Sequence, residues 1–251
     1  MLEKRKLADH DFSKDHLSQR PIIKLTGVSF DFGERVALSN ISIEMADFGL
    51  FGIISDSLLT QATLVDLMCG YTESSSGEVE ILGYSAFKGR RYARKGIGLA
   101  CHRYILNGTL FLRDTLLAFA RIRGLDKVSS LEKIESLAAR FGISGYLDYR
   151  IENLAKSTRI KATILAELLH DPVILMMDSL LELLNYEDRQ EVMMVLEDYK
   201  KKSLVVVLTD KPGITNIVDH FFIFHCGRLI ASMDKSQYIG EKGNLTDDEI
   251  Y

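Results

Sequence analysis

Two histidines and a cysteine near the C-terminal end of the chain are evident candidates for a metal site. His220, His225 and Cys226 lie close together in the sequence, and imidazole nitrogen and thiolate sulfur are common zinc ligands. The residues around the histidines are typical of a strand, in which successive side chains point to opposite faces. Positions 220 and 225 have opposite parity, so the two histidines should face apart. We therefore predict that no metal is bound.

A basic run is the next candidate for binding chemistry. Residues Lys88–Lys95 include five lysines and arginines in eight positions. Such a run is usually a solvated helix face or turn. The alternative is contact with anionic lipid headgroups or with the cytoplasmic loops of a partner.

Composition excludes several classes of protein. The chain has 251 residues, 47% of them hydrophobic and 26% charged, which is typical of one large globular domain. Its net charge is −4, whereas nucleic-acid-binding domains usually have a basic excess, so we expect no nucleic-acid partner. The first residues lack the apolar core of a signal peptide, and no uncharged apolar run reaches the roughly 20 residues of a membrane span.

Cysteine usage indicates a reducing compartment. The three cysteines, Cys69, Cys101 and Cys226, are far apart and form no CxxC pair. A disulfide framework or structural zinc site is therefore not expected, and the pattern fits a cytoplasmic protein.

Hydrophobic periodicity predicts alternating strands and helices. After a polar arm, alternating segments predict two early strands, and short continuous apolar runs predict buried strands at Leu50–Ile54, Val173–Met177 and Leu204–Leu208. We expect a helix to begin near Thr60. Strand–helix–strand units with continuous apolar strands favour a parallel sheet that is covered on both faces. The early strands suggest an added antiparallel piece, and residues from about 103 to 160 a mostly helical insertion.

Several stretches, in order along the chain, resemble the nucleotide-binding subunit of an ABC transporter. They are VSFDFGERVALSNISIEM, ESSSGEVEILGY, FARIRGL, LLHDPVILMMD and HCGRLIASM. The resemblance implies an α/β, P-loop NTPase-like fold: a parallel sheet core, an antiparallel β subdomain and a helical subdomain. It predicts a nucleotide-binding domain over residues 22–235, between a polar arm (1–21) and a polar, acidic tail (236–251).

The phosphate-binding loop of that family has the pattern GxxxxGK[ST], whose backbone N–H groups and lysine hold phosphates and whose hydroxyl holds Mg²⁺. The resemblance aligns this pattern with Ser55, Asp56, Ser57, Leu58, Leu59, Thr60, Gln61, Ala62 and Thr63. Gln61 then replaces the lysine and Ala62 the magnesium hydroxyl, while Asp56 adds a negative charge. Thr63 is retained. Weak or absent ATP binding is expected.

Other family positions are replaced in the same way. Asp178 keeps the position that holds Mg²⁺, although a carboxylate at a strand end can equally cap the next turn. Ser179 replaces the general-base glutamate, and Glu182 could substitute only after the loop rearranges. The remaining family positions fall on His102 (for the glutamine that senses Mg²⁺), Asp210 (for the switch histidine), Asn185 (for the dimer-loop aspartate) and Phe32 (the retained base-stacking aromatic).

The resemblance also implies partners. In the family two subunits face head-to-tail, and each ATP lies between the phosphate loop of one and an SGG segment of the other. Here Ala155, Lys156 and Ser157 replace SGG. A transmembrane subunit docks in a groove near His102–Arg123, where we expect Tyr104, Leu106 and Arg113 to be exposed.

The resulting hypothesis is a catalytically degenerate ABC nucleotide-binding subunit that acts as a docking or regulatory partner of a membrane transporter. It would pair with a second nucleotide-binding subunit and sit at the inner face of the membrane through its partner. No cofactor is expected beyond weak ATP and Mg²⁺. The alternatives are an unusual but active ATPase and a regulatory scaffold independent of transporters.

Overall fold

A computed structural model describes residues 21–210 and 216–242 of the chain. The strands are β1 (Ile23–Phe32), β2 (Arg35–Met45), β3 (Gly49–Ser55), β4 (Ser76–Ile81), β5 (Tyr84–Ser85), β6 (Ile97–Cys101), β7 (Ile174–Asp178), β8 (Leu204–Thr209), β9 (His220–His225) and β10 (Arg228–Asp234). The helices are α1 (Leu58–Met68), α2 (Arg90–Ala93), α3 (Leu112–Ile122), α4 (Lys127–Arg140), α5 (Lys156–Leu168), α6 (Tyr186–Tyr199) and α7 (Lys235–Lys242).

The central sheet has the strand order β10-β9-β3-β8-β7-β6. Its strands from β9 to β6 run parallel, and β10 returns antiparallel to β9. Along β7, Leu175 and Met177 belong to one hydrophobic core, and Ile174 and Met176 belong to the other. A strand buried on both faces needs this continuous apolar sequence. The predicted α/β architecture with a parallel sheet covered on both faces is therefore confirmed.

The second sheet is antiparallel, with the order β2-β1-β4-β5. Helix α1 joins the two sheets, because Leu64 and Met68 share a core with Ile43 of β2 and Met176 of β7. The helix ends where Gly70 adopts φ +64°, and a Cβ there would lie 2.0 Å from the carbonyl oxygen of Ala86. Helix α1, the element that follows β3, is thus held by the shared core and by the close approach of Gly70 to Ala86.

Helices α3, α4 and α5 pack together beside the central sheet. Leu112 and Leu116 of α3 and Ile134 and Ala138 of α4 are fully buried in the same core. The segment predicted as a helical insertion therefore contains α3, α4 and the loops that lead to α5.

The structure differs from the sequence-based expectation at several elements. Strand β6 was not predicted, because IGLAC is short and contains glycine and alanine. Helix α1 begins at Leu58 rather than near Thr60. Helix α7 occupies the start of the predicted acidic tail, and its Tyr238 stacks on Phe221 at a centroid distance of 4.2 Å. Residues 1–20 of the predicted arm and 243–251 of the tail lie outside the described residues.

Candidate functional site

The turn from β3 to α1 is short and its backbone is already hydrogen-bonded. Only Asp56 and Ser57 separate the strand from the helix. Ser57 is the N-cap residue of α1, and its Oγ accepts from the backbone N–H of Thr60 at 3.3 Å. The N–H of Gln61 donates to the carbonyl of Ser57 at 3.1 Å. The N–H of Thr60, one of the groups that could turn toward an anion at a helix start, is thus bonded to the Ser57 side chain.

Gln61 fills the space between two strand ends. Its side chain is buried, with a residue exposure of 1%. The Nε2 group donates to the carbonyl of Ser55 at 2.9 Å, and Oε1 lies 3.2 Å from the hydroxyl of Ser179. The amide therefore links the end of β3 to the residue after β7.

The neighbouring loop positions divide between the core and the surface. Thr60 is buried and its Oγ1 donates to the carbonyl of Ala37 at 3.2 Å. Thr63 is buried, and its hydroxyl has no hydrogen-bond partner among the described residues. Leu58 and Leu59 are exposed, so two apolar side chains stand where the family pattern prefers small residues.

Asp178 ends β7 beside this turn and is buried. Its Oδ1 lies 3.1 Å from the hydroxyl of Ser179, and its Oδ2 lies 3.5 Å from Nδ1 of His102. Ser179 adopts φ +52°, a left-handed conformation that is uncommon for a residue with a side chain. The structure thus brings Gln61, His102, Asp178 and Ser179 together.

Glu182 and Asp210 form the acidic side of the same region. Burial raises the pKa of the Glu182 carboxyl; a hydrogen bond from Thr209 opposes the shift, and the charge of Asp210 adds to it. A buried carboxyl with a raised pKa is a recurrent feature of functional sites and also of structural networks. Glu182 is separated from Asp178 by the turn that starts at Ser179.

Two predicted site regions lie elsewhere. Phe32 is exposed at the end of β1, and its ring contacts Phe30 edge-on with 5.1 Å between centroids. Ala155 is the N-cap position of α5 and provides no side-chain cap. Lys156 and Ser157 form the first turn of that helix, and a hydrogen bond from Ser157 contributes to a lowered pKa of Asp188, after the larger contribution of Lys161.

A cavity of about 420 Å³ lies where the partner groove was predicted. Its lining includes Tyr104, Leu106, Phe119, Arg123 and Glu167. Arg123 Nη2 bonds Glu167 Oε2 at 3.0 Å, and burial raises the pKa of Glu167 against the opposing charge of Arg123. The cavity thus combines apolar walls with an ion pair whose carboxylate is largely buried and whose guanidinium is partly exposed.

Two of the residues expected to be exposed in this groove are placed differently. Tyr104 is 59% exposed, as expected. Leu106 is buried, because its side chain packs into the core and its N–H donates to Thr163 Oγ1 at 3.0 Å. Arg113 does not line the cavity, because it is held by Asp148 at 2.8 Å and by Glu135.

Comparison with known proteins identifies the architecture. The structure superposes on an ATP-binding subunit of an ABC transporter with a TM-score of 0.81, at 18% identity over 92% of this chain and 98% of that one. CbiO1 of Clostridium perfringens, part of the ABC transporter complex cbiONQ, gives a TM-score of 0.78 at 18% identity and the same coverage. The chain has the fold of an ABC ATPase cassette.

The sequence relatives of this chain point the same way. It is 27% identical to Nod factor export ATP-binding protein I of Rhizobium sp. (strain N33) over 62% of this chain and 52% of that one. It is 25% identical to the methionine import ATP-binding protein MetN of Geobacillus kaustophilus over 79% of this chain and 60% of that one. The chain thus spans about half the length of these relatives. No family model matches it. The resemblance to ABC transporter ATP-binding subunits is confirmed.

Sequence reasoning missed two features of the cassette. Lys161 is buried and paired with Asp188 and with Glu191, the latter at 2.6 Å. Asp56 contacts His225, with 2.7 Å between Oδ2 and Nδ1. The position of Lys161 within an apolar helical pattern could have predicted its burial. No local pattern predicts the contact between Asp56 and His225. None of the helices in the described part of the chain has the length and apolar character needed to cross a membrane.

Proposed function

We propose that this chain is a catalytically degenerate nucleotide-binding subunit of an ABC-type transporter, which docks on or regulates its partners and hydrolyses little or no ATP. The observation that carries the proposal is the position of Gln61. A buried neutral amide, bonded to Ser55 and Ser179, occupies the place where the family has a lysine for the phosphates.

Charge supports this proposal. A hydrogen bond to a charged group contributes about 1.5–3 kcal/mol, and each 1.4 kcal/mol is tenfold in affinity. Losing the lysine therefore weakens phosphate binding by roughly ten- to a hundredfold. Asp56, at the same turn, adds a carboxylate that repels a polyanion.

The local hydrogen bonds support it too. A phosphate would have to displace the Ser57 cap, which is worth about 1 kcal/mol, and the Gln61 amide. Ala62 has no hydroxyl for Mg²⁺, so the aligned loop does not fit Mg-ATP. Ser179, at the general-base position, has no group that accepts a proton from water near neutral pH.

The test is calorimetric titration of the full chain with Mg-ATP. We expect no heat and no melting shift for the unmodified chain. The double variant Gln61→Lys/Ala62→Thr should gain at least tenfold in affinity. Gln61→Met is the matched control: it removes the same hydrogen bonds without adding a charge and should not gain binding. Micromolar binding by the unmodified chain would contradict the proposal.

The partners belong to the same proposal. The relatives are named as export and import ATP-binding proteins, which supports a transmembrane subunit as partner, with the Tyr104 cavity as the docking groove. The uncapped start of α5 would face the phosphate loop of a second nucleotide-binding subunit. Copurification with the membrane subunit from detergent extracts tests the groove. Tyr104→Ala should abolish it, whereas Tyr149→Ala, another exposed tyrosine, should not.

A second candidate, an unusual but active ATPase, is favoured by two buried oxygens, one of which lies 3.5 Å from Nδ1 of His102. Thr63 Oγ1 and Asp178 Oδ2 are buried and have no hydrogen-bond partner among the described residues, and hydroxyl and carboxylate oxygens are the ligands that Mg²⁺ prefers. This candidate predicts Mg²⁺-dependent ATP hydrolysis that Asp178→Asn abolishes and the surface control Asp198→Asn retains. Absence of hydrolysis in the unmodified chain would eliminate it.

A further inference from the structure

Three potential metal ligands meet beside the phosphate-loop turn. The ligand atoms of Asp56, His225 and Cys226 all lie within 4.8 Å of one another. Asp56 Oδ2 is 2.7 Å from His225 Nδ1, and His225 Nε2 is 3.4 Å from Cys226 Sγ. All three residues are exposed, so an ion could reach them from solvent.

Strand register brings the three side chains together. β3 and β9 are parallel neighbours in which Ser55 pairs with Phe224. The next residues, Asp56 and His225, therefore reach the same edge of the sheet side by side. Cys226 follows in the tight turn to β10, where it and Gly227 have φ +46° and +73°, values typical of a type I′ hairpin. Its N–H lies 3.4 Å from Asp56 Oδ1.

We propose that Asp56, His225 and Cys226 bind a borderline divalent cation of the Zn²⁺ class. A carboxylate oxygen, an imidazole nitrogen and a thiolate sulfur are the ligand types of zinc sites, and three protein ligands leave a fourth position for water. The carboxylate and the thiolate together balance the ion's two positive charges. The mixed nitrogen and sulfur set disfavours Mg²⁺ and Ca²⁺, which prefer oxygen ligands.

His220 is outside the site. Its Nδ1 bonds Asp234 at 2.7 Å and its Nε2 lies 2.8 Å from Ser232 Oγ. The third ligand is instead Asp56, which lies far from the other two in the sequence. The prediction that no metal binds considered the two histidines and the cysteine without this carboxylate.

A bound ion would change the turn in two ways. It would replace the contact between Asp56 and His225 and hold the β9–β10 hairpin to the start of α1. It would also neutralise the carboxylate at the mouth of the phosphate loop. The site stands independently of the proposed transporter function, because its ligands and its test involve no nucleotide.

The experiment titrates the full, metal-free chain with Zn²⁺ in competition with a chromophoric chelator, and with Co²⁺ followed by absorption. We expect one equivalent of Zn²⁺ and a thiolate-to-Co²⁺ charge-transfer band. Cys69 and Cys101 are buried, so the band reports Cys226.

Matched variants decide the outcome. Cys226→Ser should abolish the band, and His225→Gln and Asp56→Asn should each weaken Zn²⁺ binding by at least about tenfold, since even second-shell changes cost 10–100-fold. His220→Gln, on the same strand, should leave binding unchanged. Equal Zn²⁺ affinity in the native chain and the Cys226→Ser variant, or no charge-transfer band, would overturn the proposal. Neither result bears on Mg-ATP binding.

Discussion

The starts of helices α1 and α5 are the two places at which the proposed function puts contacts to nucleotides, and they are built differently. Ser57 caps α1, and the side chain of Gln61 links the start of this helix to Ser179, the residue after β7. α5 begins at Ala155 with no side-chain cap. At the first, the backbone N–H of Thr60 is bonded to the Ser57 side chain, whereas the N-cap residue of the second makes no side-chain hydrogen bond.

This difference bears on two proposed roles: holding a nucleotide and contacting a nucleotide that a partner holds. Under the proposed function, the chain does not hold a nucleotide at the start of α1. Under the same proposal, the uncapped start of α5 presents Lys156 and Ser157 to a nucleotide that a partner holds. A regulatory subunit paired with an intact one needs only the second role, and it can bias the partner's conformational equilibrium by binding alone.

The largest expected effect comes from Gln61. Gln61→Leu keeps the approximate volume but leaves the Ser55 carbonyl without its buried donor, so we expect a loss of about 1–3 kcal/mol in the free energy of unfolding. Denaturant unfolding measures it. The matched change at α5, Ser157→Ala, lies on a partly exposed turn and should cost less. Equal losses at both sites would show that the α1 start is not the more tightly bonded of the two.

Exchanging the N-cap residues of α1 and α5 tests how much each helix start contributes to stability. Ser57→Ala should destabilise the chain by about 1 kcal/mol, because it removes an N-cap, and Ala155→Ser should stabilise it by up to a similar amount by supplying one. Thermal and denaturant unfolding of both variants and of the double variant give the values. If Ala155→Ser leaves stability unchanged, the N–H groups of α5 are already satisfied in some other way.

The sequence predicted the sheet better than it predicted the site. Continuous apolar runs located β7 and β8 because a strand buried on both faces admits little else. The start of α1 was placed too late, because the helical spacing of apolar residues marks only the interior of the helix, whereas Ser57 is a good N-cap followed by good helix formers. The contacts of Gln61 with Ser179, and of Asp56 with His225, depend on which strands become neighbours, and no local pattern contains that information.

The smallest expected effect concerns Glu182, which lies in the short turn Leu181–Leu183 after β7. Its pKa is raised by burial from the ordinary value of 4.5, so the folded state binds its proton more tightly than the unfolded state. This contribution to stability is fully present below pH 4.5 and is lost as the pH rises through the folded pKa. Glu182→Gln should therefore raise the free energy of unfolding at pH 7, and the difference from the unmodified chain should shrink toward zero below pH 4.5.

Paired urea titrations at pH 7 and pH 4 measure this difference, and Glu187→Gln, an exposed carboxyl in the first turn of α6, is the control. A pH-independent difference would mean that Glu182 is not held in a low-dielectric environment.

The same variant also discriminates the two functional candidates. If the chain hydrolyses ATP with Glu182 as the base, Glu182→Gln abolishes hydrolysis and raises the free energy of unfolding. In a subunit that performs no chemistry, the substitution stabilises the fold and changes nothing else.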